Sequence, residues 1–502
     1  MVRTHPSTPQ ERAQWTAYML AHQGEYGIVT HLSRAHAVSR PTLYAWRDQA
    51  QRALLHAFTP TAPRPIVTPA LERQVLTLLV HAHASDRGIQ TCMQTLTRQG
   101  LSLATITAIL HEAQQRAITW FQTHIPPGRR ALALDEIYAN DRRGAYLNVV
   151  DVHSGAVWAS EGPLPVDTES WMLVLWSLQD RGLWWDRLVL DEGAALHAAC
   201  AAVTPNLLIQ NDQWHVLHAC AQVQARLERW LRECVARTAV VERQAARIAA
   251  GQRPKGRHPQ TDVGAHAQVV AQARRVAEAV RVLTHELRRL LDVVVVDRRG
   301  VLDAAERQAD LDALLTLLAE LADEAAQPQQ DEVRRLHRRL TEALPHLLTF
   351  VEQAERVRHD LAGVLAPDRQ ALLAWAWLRR QALRWTSQDI LAAMPADWRS
   401  AARVLLAAWD DAVRVSSAVE RWHSILRPHL AVHRTLTTGM LALLAVWHNH
   451  RVFTRGIHKG MSPLHLSGMT DAPSDWLVAL GYPPAAEPLA PVAATDTMAL
   501  AA

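Results

Sequence analysis

The chain of 502 residues is 49% hydrophobic and 20% charged, with a net charge of +4, a balance that suits a globular protein of about three domains. No stretch approaches the roughly 18 uninterrupted apolar residues of a membrane span, and residues 1–15 hold no apolar signal core, so a soluble, intracellular protein without membrane contact is expected. Cys92, Cys200, Cys220 and Cys234 lie far apart with no Cys-x-x-Cys pair, which argues against a disulfide framework and against a thiolate zinc site.

The charge is unevenly placed. Residues 1–130 carry 13 Arg against 6 Asp and Glu, and Lys255 and Lys459 are the only lysines in the chain. An arginine fork suits phosphate and guanine edges better than an ammonium does. Within this basic segment, residues 28–35 read as an amphipathic helix, 37–39 as a turn with Ser39 as N-cap, and 41–51 as a second helix with Pro41 in its first turn. The second helix of this helix-turn-helix domain (1–58) would present Arg40, Thr42, Tyr44 and Arg47 to a major groove, while Val38, Leu43 and Trp46 pack against its partners; a plain helical hairpin is the alternative. Pro60, Pro63, Pro65 and Pro69 mark a stiff linker over 59–70. Helices at 71–83, 89–99 and 103–115, the last capped by Ser102, suggest a second helix-turn-helix-like domain over 71–125.

After Pro126-Pro127-Gly128 the periodicity changes. Residues 131–134, 145–152 and 156–160 read as strands, the last two joined in a hairpin around His153-Ser154-Gly155. A helix over 168–180, a strand over 187–190, a helix over 194–203 and a strand over 206–210 follow. That order implies an antiparallel trio and then two crossover strands, which could set the first strand beside the fourth. From 214 to 411 apolar residues recur at helical spacing with no further strand series, and breaks fall at 251–261, 297–300 and 327–330. A helix beginning near Ser417 carries Glu420, another spans 437–449, and the Pro/Ala-rich tail beyond Tyr482 is expected to lack fixed structure.

The pattern Leu-x-Leu-Asp-Glu occurs twice, at 132–136 and 188–192, each time as an apolar strand-like run ending in acid. Ligands gather at the carboxyl ends of buried strands, so Asp135 and Asp191 are candidate ligands for a divalent metal. Glu136 and Glu192 are alternative ligands, since strand alternation turns each acid away from its neighbour and leaves one of each pair facing the site; Asp151 could approach from the second strand but reads rather as a surface charge of the hairpin. Glu420 is the best third acid: it is the only acidic residue among seven Arg and Lys between Arg414 and Lys459. Ser417-x-x-Glu420 also has the form of a capping box, in which the carboxylate would only satisfy helix donors.

This layout resembles the RNase H-like DDE transposases, relatives of the retroviral integrases. In that family the first Asp ends strand 1, the second ends strand 4 and the Glu sits on a helix after strand 5; Asp135, Asp191 and Glu420 stand at the matching positions. Arg427, seven residues past Glu420, and Asn449-His450-Arg451 with Gly460, Ser462 and Pro463 resemble further parts of such cores. The 229 positions between Asp191 and Glu420, and Asp212-Gln213-Trp214-His215 past the fifth strand, resemble the members with an all-helical insertion domain, of the bacterial insertion-sequence and Mutator-like type.

The resemblance implies an α/β RNase H-like catalytic core in two parts, 126–220 and 411–470, interrupted by an all-α insertion over 221–410 and followed by a tail over 471–502. It implies a nucleoid-associated transposase. This would bind terminal inverted repeats and target DNA as a homodimer or higher oligomer, and cut and join strands with two Mg²⁺ (or Mn²⁺) ions held by Asp135, Asp191 and Glu420. Arg427 would contact phosphate, Asp212 and His215 would assist unless His215 and His218 are ordinary helix residues, and Trp375, Trp377 and Trp385 would either stack on an unpaired base or belong to the insertion core. A catalytically inactive transposase-derived DNA-binding regulator and a structure-specific nuclease of the same fold are the alternatives.

Overall fold

The computed structural model describes residues 7–58, 67–139, 144–253, 262–414, 416–456 and 458–485. The linker prolines Pro60, Pro63 and Pro65, and the tail from residue 486, lie outside the described residues. The chain divides into two compact units, Met1–Val67 and Thr68–Ala502.

The first unit is a three-helix cluster: α1 (Pro9–Ala21), α2 (Ile28–His36) and α3 (Arg40–Phe58). α1 was not apparent from hydrophobic spacing, yet Thr8 and Glu11 form a reciprocal capping box at its start, which offsets two unpaired backbone donors. Leu32 and Leu43 are buried with Met19, and Trp15, Ile28, Val38 and Trp46 pack around them. α2 ends on Ala37 in the left-handed region (φ 53°), and the Ser39 hydroxyl accepts from Thr42 N at 3.3 Å, so the chain turns sharply into α3. α3 runs seven residues beyond its expected end.

The second unit opens with α4 (Pro69–Ala82), α5 (Asp86–Cys92) and α6 (Leu103–Thr123). Pro69 occupies the first turn of α4, where its missing N–H costs nothing, so the expected linker ends earlier. These helices do not enclose a core of their own: Leu76, Ile106, Ala117, Trp120 and Phe121 belong to one continuous apolar cluster with the sheet. α6 is eight residues longer than its expected span because its apolar face continues through Trp120 onto that sheet.

The strands are β1 (Arg129–Tyr138), β2 (Ala145–Asp151) and β3 (Val157–Leu164); then, after α7 (Thr168–Asp180), β4 (Trp184–Leu190); and after α8 (Ala194–Val203), β5 (Leu208–Asn211). They form one sheet in the order β3-β2-β1-β4-β5. β1 pairs antiparallel with β2 and parallel with β4, with Leu134 opposite Leu190. Every residue of β2 is buried, as in a central strand covered on both faces. β1 does not stop at Asp135 but continues to Tyr138, held by β2 alone beyond Leu134.

Helices then fill the chain from α9 (Gln213–Ala249) and α10 (Val263–Leu290) through α11 (Ala304–Glu324), α12 (Gln329–Ala343), α13 (Thr349–Asp360), α14 (Pro367–Leu383) and α15 (Ser387–Ala393) to α16 (Ala396–Asp410). No strand series interrupts these helices among the described residues, but one short ribbon does. Val296–Asp297 and Gly300–Val301 form a two-stranded ribbon, because a run of four valines ends in a turn whose Gly300 has φ 107°, open to glycine. The helices form two apolar clusters, one centred on α9–α12 and one on α14 and α16. Trp377 is buried in the second and donates to Asp410 at 2.9 Å, whereas Trp375 and Trp385 are exposed.

The chain then returns to the sheet as α17 (Ser417–Val432), packed on β1 and β2, and α18 (Thr438–His450), packed on β3 and α6. Asp212 governs that return. Its carboxylate caps α9 through Trp214 N (2.7 Å) and accepts from Ser416 N (3.0 Å) and from the Ser416 hydroxyl, while Gln213 N donates to Arg414 O (3.1 Å). One buried acid thus ties the helix leaving the sheet to the helix coming back. Asp212→Ala removes a cap and strands buried donors, so it should lower unfolding free energy by about 2 kcal/mol or more. Trp375→Ala, on an exposed face, should stay within about 0.5 kcal/mol of wild type; denaturant titration of both variants checks this.

Candidate metal centre

Two parallel neighbours whose pairing stops together deliver two side chains to one place. The Leu134–Leu190 pair is the last between β1 and β4, and it puts Asp135 and Asp191 next to each other just past it. α17 lays its first turns against β1 and β2 and adds Glu420. Two overlapping groups result, each with ligand atoms within 4.8 Å of one another: Asp135, Glu136 and Asp191, and Asp135, Glu420 and His423. Asp135 belongs to both.

Two members depart from expectation. Alternation allows one acid of the Asp135–Glu136 pair to face the site, but both carboxylates join the first group. β4 has ended by this point and β1 has no partner on that side beyond Leu134, so a long side chain can swing round the open edge. His423 was not singled out in the sequence, although it follows Glu420 by three positions and therefore shares its helical face. Glu192 does face away, and pairs with Arg339 of α12 at 2.8 Å.

The electrostatics are those of acids held together against their charge. Burial and then Asp191 push the Asp135 carboxyl up to about 8, opposed by its hydrogen bond with Glu136 N and helped less by the Glu136 and Glu420 charges. Burial and Asp191 raise Glu136 to about 7. His423 is lowered to about 4, chiefly by burial, and is a neutral ring at physiological pH. Its Nδ1 lies 3.8 Å from Asp135 Oδ2.

Glu420 is not a capping residue. The N-cap of α17 is Ser416, no side chain caps the helix, and Glu420 instead meets Arg427 at 3.2 Å, two turns on. Arg427 is more than half exposed. Asp151 is corrected from a surface charge to a buried turn residue: its Oδ1 accepts from His153 N and Ser154 N, each at 2.9 Å, and it stands opposite Leu132, three residues before Asp135 on β1. Asp212 acts on the site through the placement of α17. His215 lies 3.9 Å from Asp212, and neither residue belongs to a metal-binding group among the described residues. In the N-terminal unit, Arg40, Tyr44 and Arg47 line one hollow with Arg34 and His31; Arg47 lies over the Tyr44 ring and pairs with Asp48, and Thr42 meets the Ser39 hydroxyl.

Asn148 was also missed. It is fully buried on β2, directly opposite Asp135, and its side chain reaches Trp422, Ser160, Tyr146 and His423. An amide at the centre of a fully buried apolar strand was the available signal.

No family model and no curated protein matches the chain. Among solved structures it is similar to a Drosophila P element transposase strand transfer complex, at 10% sequence identity and a TM-score of 0.26, over 72% of this chain and 98% of that one. No described helix is long and apolar enough to cross a membrane.

A raised carboxyl favours the folded state only while it keeps its proton. Between the ordinary Asp value and about 8, folded Asp135 holds a proton that the unfolded chain releases, so this contribution to stability is full at low pH and is lost as pH rises through 8. In chelator, Asp135→Asn should therefore match wild type near pH 4 and gain thermal stability over it progressively towards pH 8. A difference in melting temperature that is flat across this range would contradict the assignment.

Proposed function

We propose that the protein is a DNA transposase of the RNase H-like DDE type, with Asp135, Asp191 and Glu420 as its catalytic acids. The observation that carries this reading is the convergence of these three residues, 229 positions apart at the widest step, into two ligand groups that share Asp135. The sheet order, with β1 between an antiparallel β2 and a parallel β4, and the long helical excursion between β5 and α17 support the corresponding reading of fold and domains: a core in two parts with an all-helical insertion.

The donor set suits hard divalent cations. Carboxylate oxygens are the preferred ligands of Mg²⁺ and Mn²⁺, and the upward pressure on Asp135 and Glu136 is uncompensated negative charge that such cations offset. Asp135 would be shared between two ions, with Asp191 and Glu136 on one side and Glu420 on the other. When bound, the pair supplies charge neutralisation to an in-line displacement at phosphorus.

The protein's own groups do the rest. Arg427, already paired with Glu420 and largely exposed, offers a guanidinium to the phosphate beside the scissile bond. Asp212 holds the start of α17, and with it Glu420, against the sheet. In the N-terminal unit Arg40, Thr42, Tyr44 and Arg47 are the DNA-reading residues, and the arginine excess of residues 1–130 serves the duplex backbone. Cutting and joining at two element ends calls for a dimer or larger complex.

Two experiments test the proposal. Full-length protein with Mg²⁺ should cut and join DNA carrying the repeats that flank its own gene, whereas Asp135→Asn should bind the same ends without cutting. Cutting that persists in the variant would contradict the assignment, and cutting without joining would point to a nuclease. Arg47→Ala should weaken end binding and reduce the slope of log affinity against log salt by about 1 if Arg47 contacts phosphate, or relax selectivity at one base pair at a cost of about 1–3 kcal/mol if it reads a base. Unchanged affinity, salt slope and selectivity would remove Arg47 from the interface.

A further inference from the structure

The buried network behind Asp135 fixes where one hydrogen sits. Trp422 Nε1 can only donate, and it meets Asn148 Oδ1 at 2.9 Å; the Ser160 hydroxyl donates to the same oxygen at 2.8 Å. The other end of the Asn148 amide is therefore its NH₂. One of those hydrogens goes to Tyr146 O at 2.8 Å and the other to His423 Nε2 at 3.1 Å, with Asp135 O a more distant acceptor at 3.5 Å. Nε2 is thus an acceptor, and the ring carries its hydrogen on Nδ1, the atom that faces Asp135 Oδ2 across 3.8 Å. A nitrogen bearing that hydrogen has no lone pair to offer a cation, so His423 is not a ligand in this arrangement, although it lies within reach of the group.

We infer that His423 is a positioning residue for Asp135: the chain Trp422–Asn148–His423 holds Nδ1–H towards Oδ2 and steers the orientation in which this shared carboxylate meets its cations. The inference rests on the proposed reading of the acid cluster and goes beyond it, since that reading needs only the acids. The other oxygen of Asp135 is steered from the opposite side, where Oδ1 accepts from Glu136 N at 2.8 Å. Oδ1 is thus hydrogen-bonded and Oδ2 faces Nδ1–H at a longer distance, and both keep lone pairs free. Partners of this kind behind a metal-binding carboxylate are worth tenfold or more in metal affinity in well-studied sites. The network is also costly to disturb in part, because Asn148 and His423 are both buried and a half-satisfied buried network loses more than one bond.

The test exploits the two faces of the ring. Asparagine at 423 places its amide nitrogen near the position of Nδ1, whereas glutamine reaches towards that of Nε2. Binding of Mn²⁺ and Mg²⁺ to full-length wild type, His423→Ala, His423→Asn and His423→Gln is read from the metal-induced rise in melting temperature and, separately, from the metal concentration giving half-maximal DNA cutting. The inference predicts that Ala and Gln need about tenfold more metal by both readouts and that Asn restores most of the loss. Asn148→Asp turns the amide donor into an acceptor and moves the ring hydrogen to Nε2, so it should reproduce the Ala phenotype with His423 intact. Metal binding unchanged in His423→Ala, or rescue by Gln in place of Asn, would overturn the inference while leaving the acid cluster standing. A loss confined to Mn²⁺ would mark His423 as a direct ligand and overturn it too. Wild type that binds neither metal would overturn both readings.

Discussion

The parallel pairing of β1 with β4 is the constraint on which the rest of the molecule depends. It places Leu134 opposite Leu190, and the next residue in each strand direction is an aspartate. A shift of one residue in this pairing would turn a side chain to the other face of the sheet and separate the acids. The register is held by burial, since Leu132, Leu134, Leu188 and Leu190 are fully enclosed. A hydrophobic core thus fixes the position of charges that repel each other, and the upward displacement of Asp135 and Glu136 records what that costs.

The third acid arrives by a long route. Between β5 and α17 the chain makes a helical excursion, yet it leaves and returns through one joint in which Asp212 binds both helix starts. The excursion is also anchored to the sheet elsewhere: Asn211 donates to Ala343 O at 2.9 Å, Gln210 accepts from Phe350 N at 2.9 Å, and Arg187 pairs with Asp411 at 2.7 Å. Arg339 of α12 holds Glu192, the neighbour of Asp191. The helical segment is therefore coupled to the loop after β4 as well as to α17, so that its packing bears on two of the three acids.

Much of this was legible in the sequence because it is written in local chemistry. Apolar runs that end in acid located β1 and β4, although β1 continues past its aspartate to Tyr138. The cap residues Ser39 and Ser102 located helix starts. What escaped depended on tertiary contact. The helices over residues 69–123 read as a separate domain because each is amphipathic, but only packing could reveal that their apolar faces share the sheet's core. Alternation lets one acid of the Asp135–Glu136 pair face the site, yet both reach it because β4 ends two residues too early to cover that edge. Asp151 and Asn148 are ordinary polar residues on paper; one is locked into a buried turn and the other is the hub that orients His423.

In the proposed reading Asp135 would serve two cations, one held with Asp191 and one with Glu420. Anomalous diffraction from crystals of the full chain soaked in Mn²⁺ measures this directly. The account predicts two anomalous peaks flanking Asp135, one against Asp191 and one against Glu420. A single peak that leaves Asp135 without contact, or none at this end of the sheet in crystals that take up Mn²⁺ elsewhere, would contradict it.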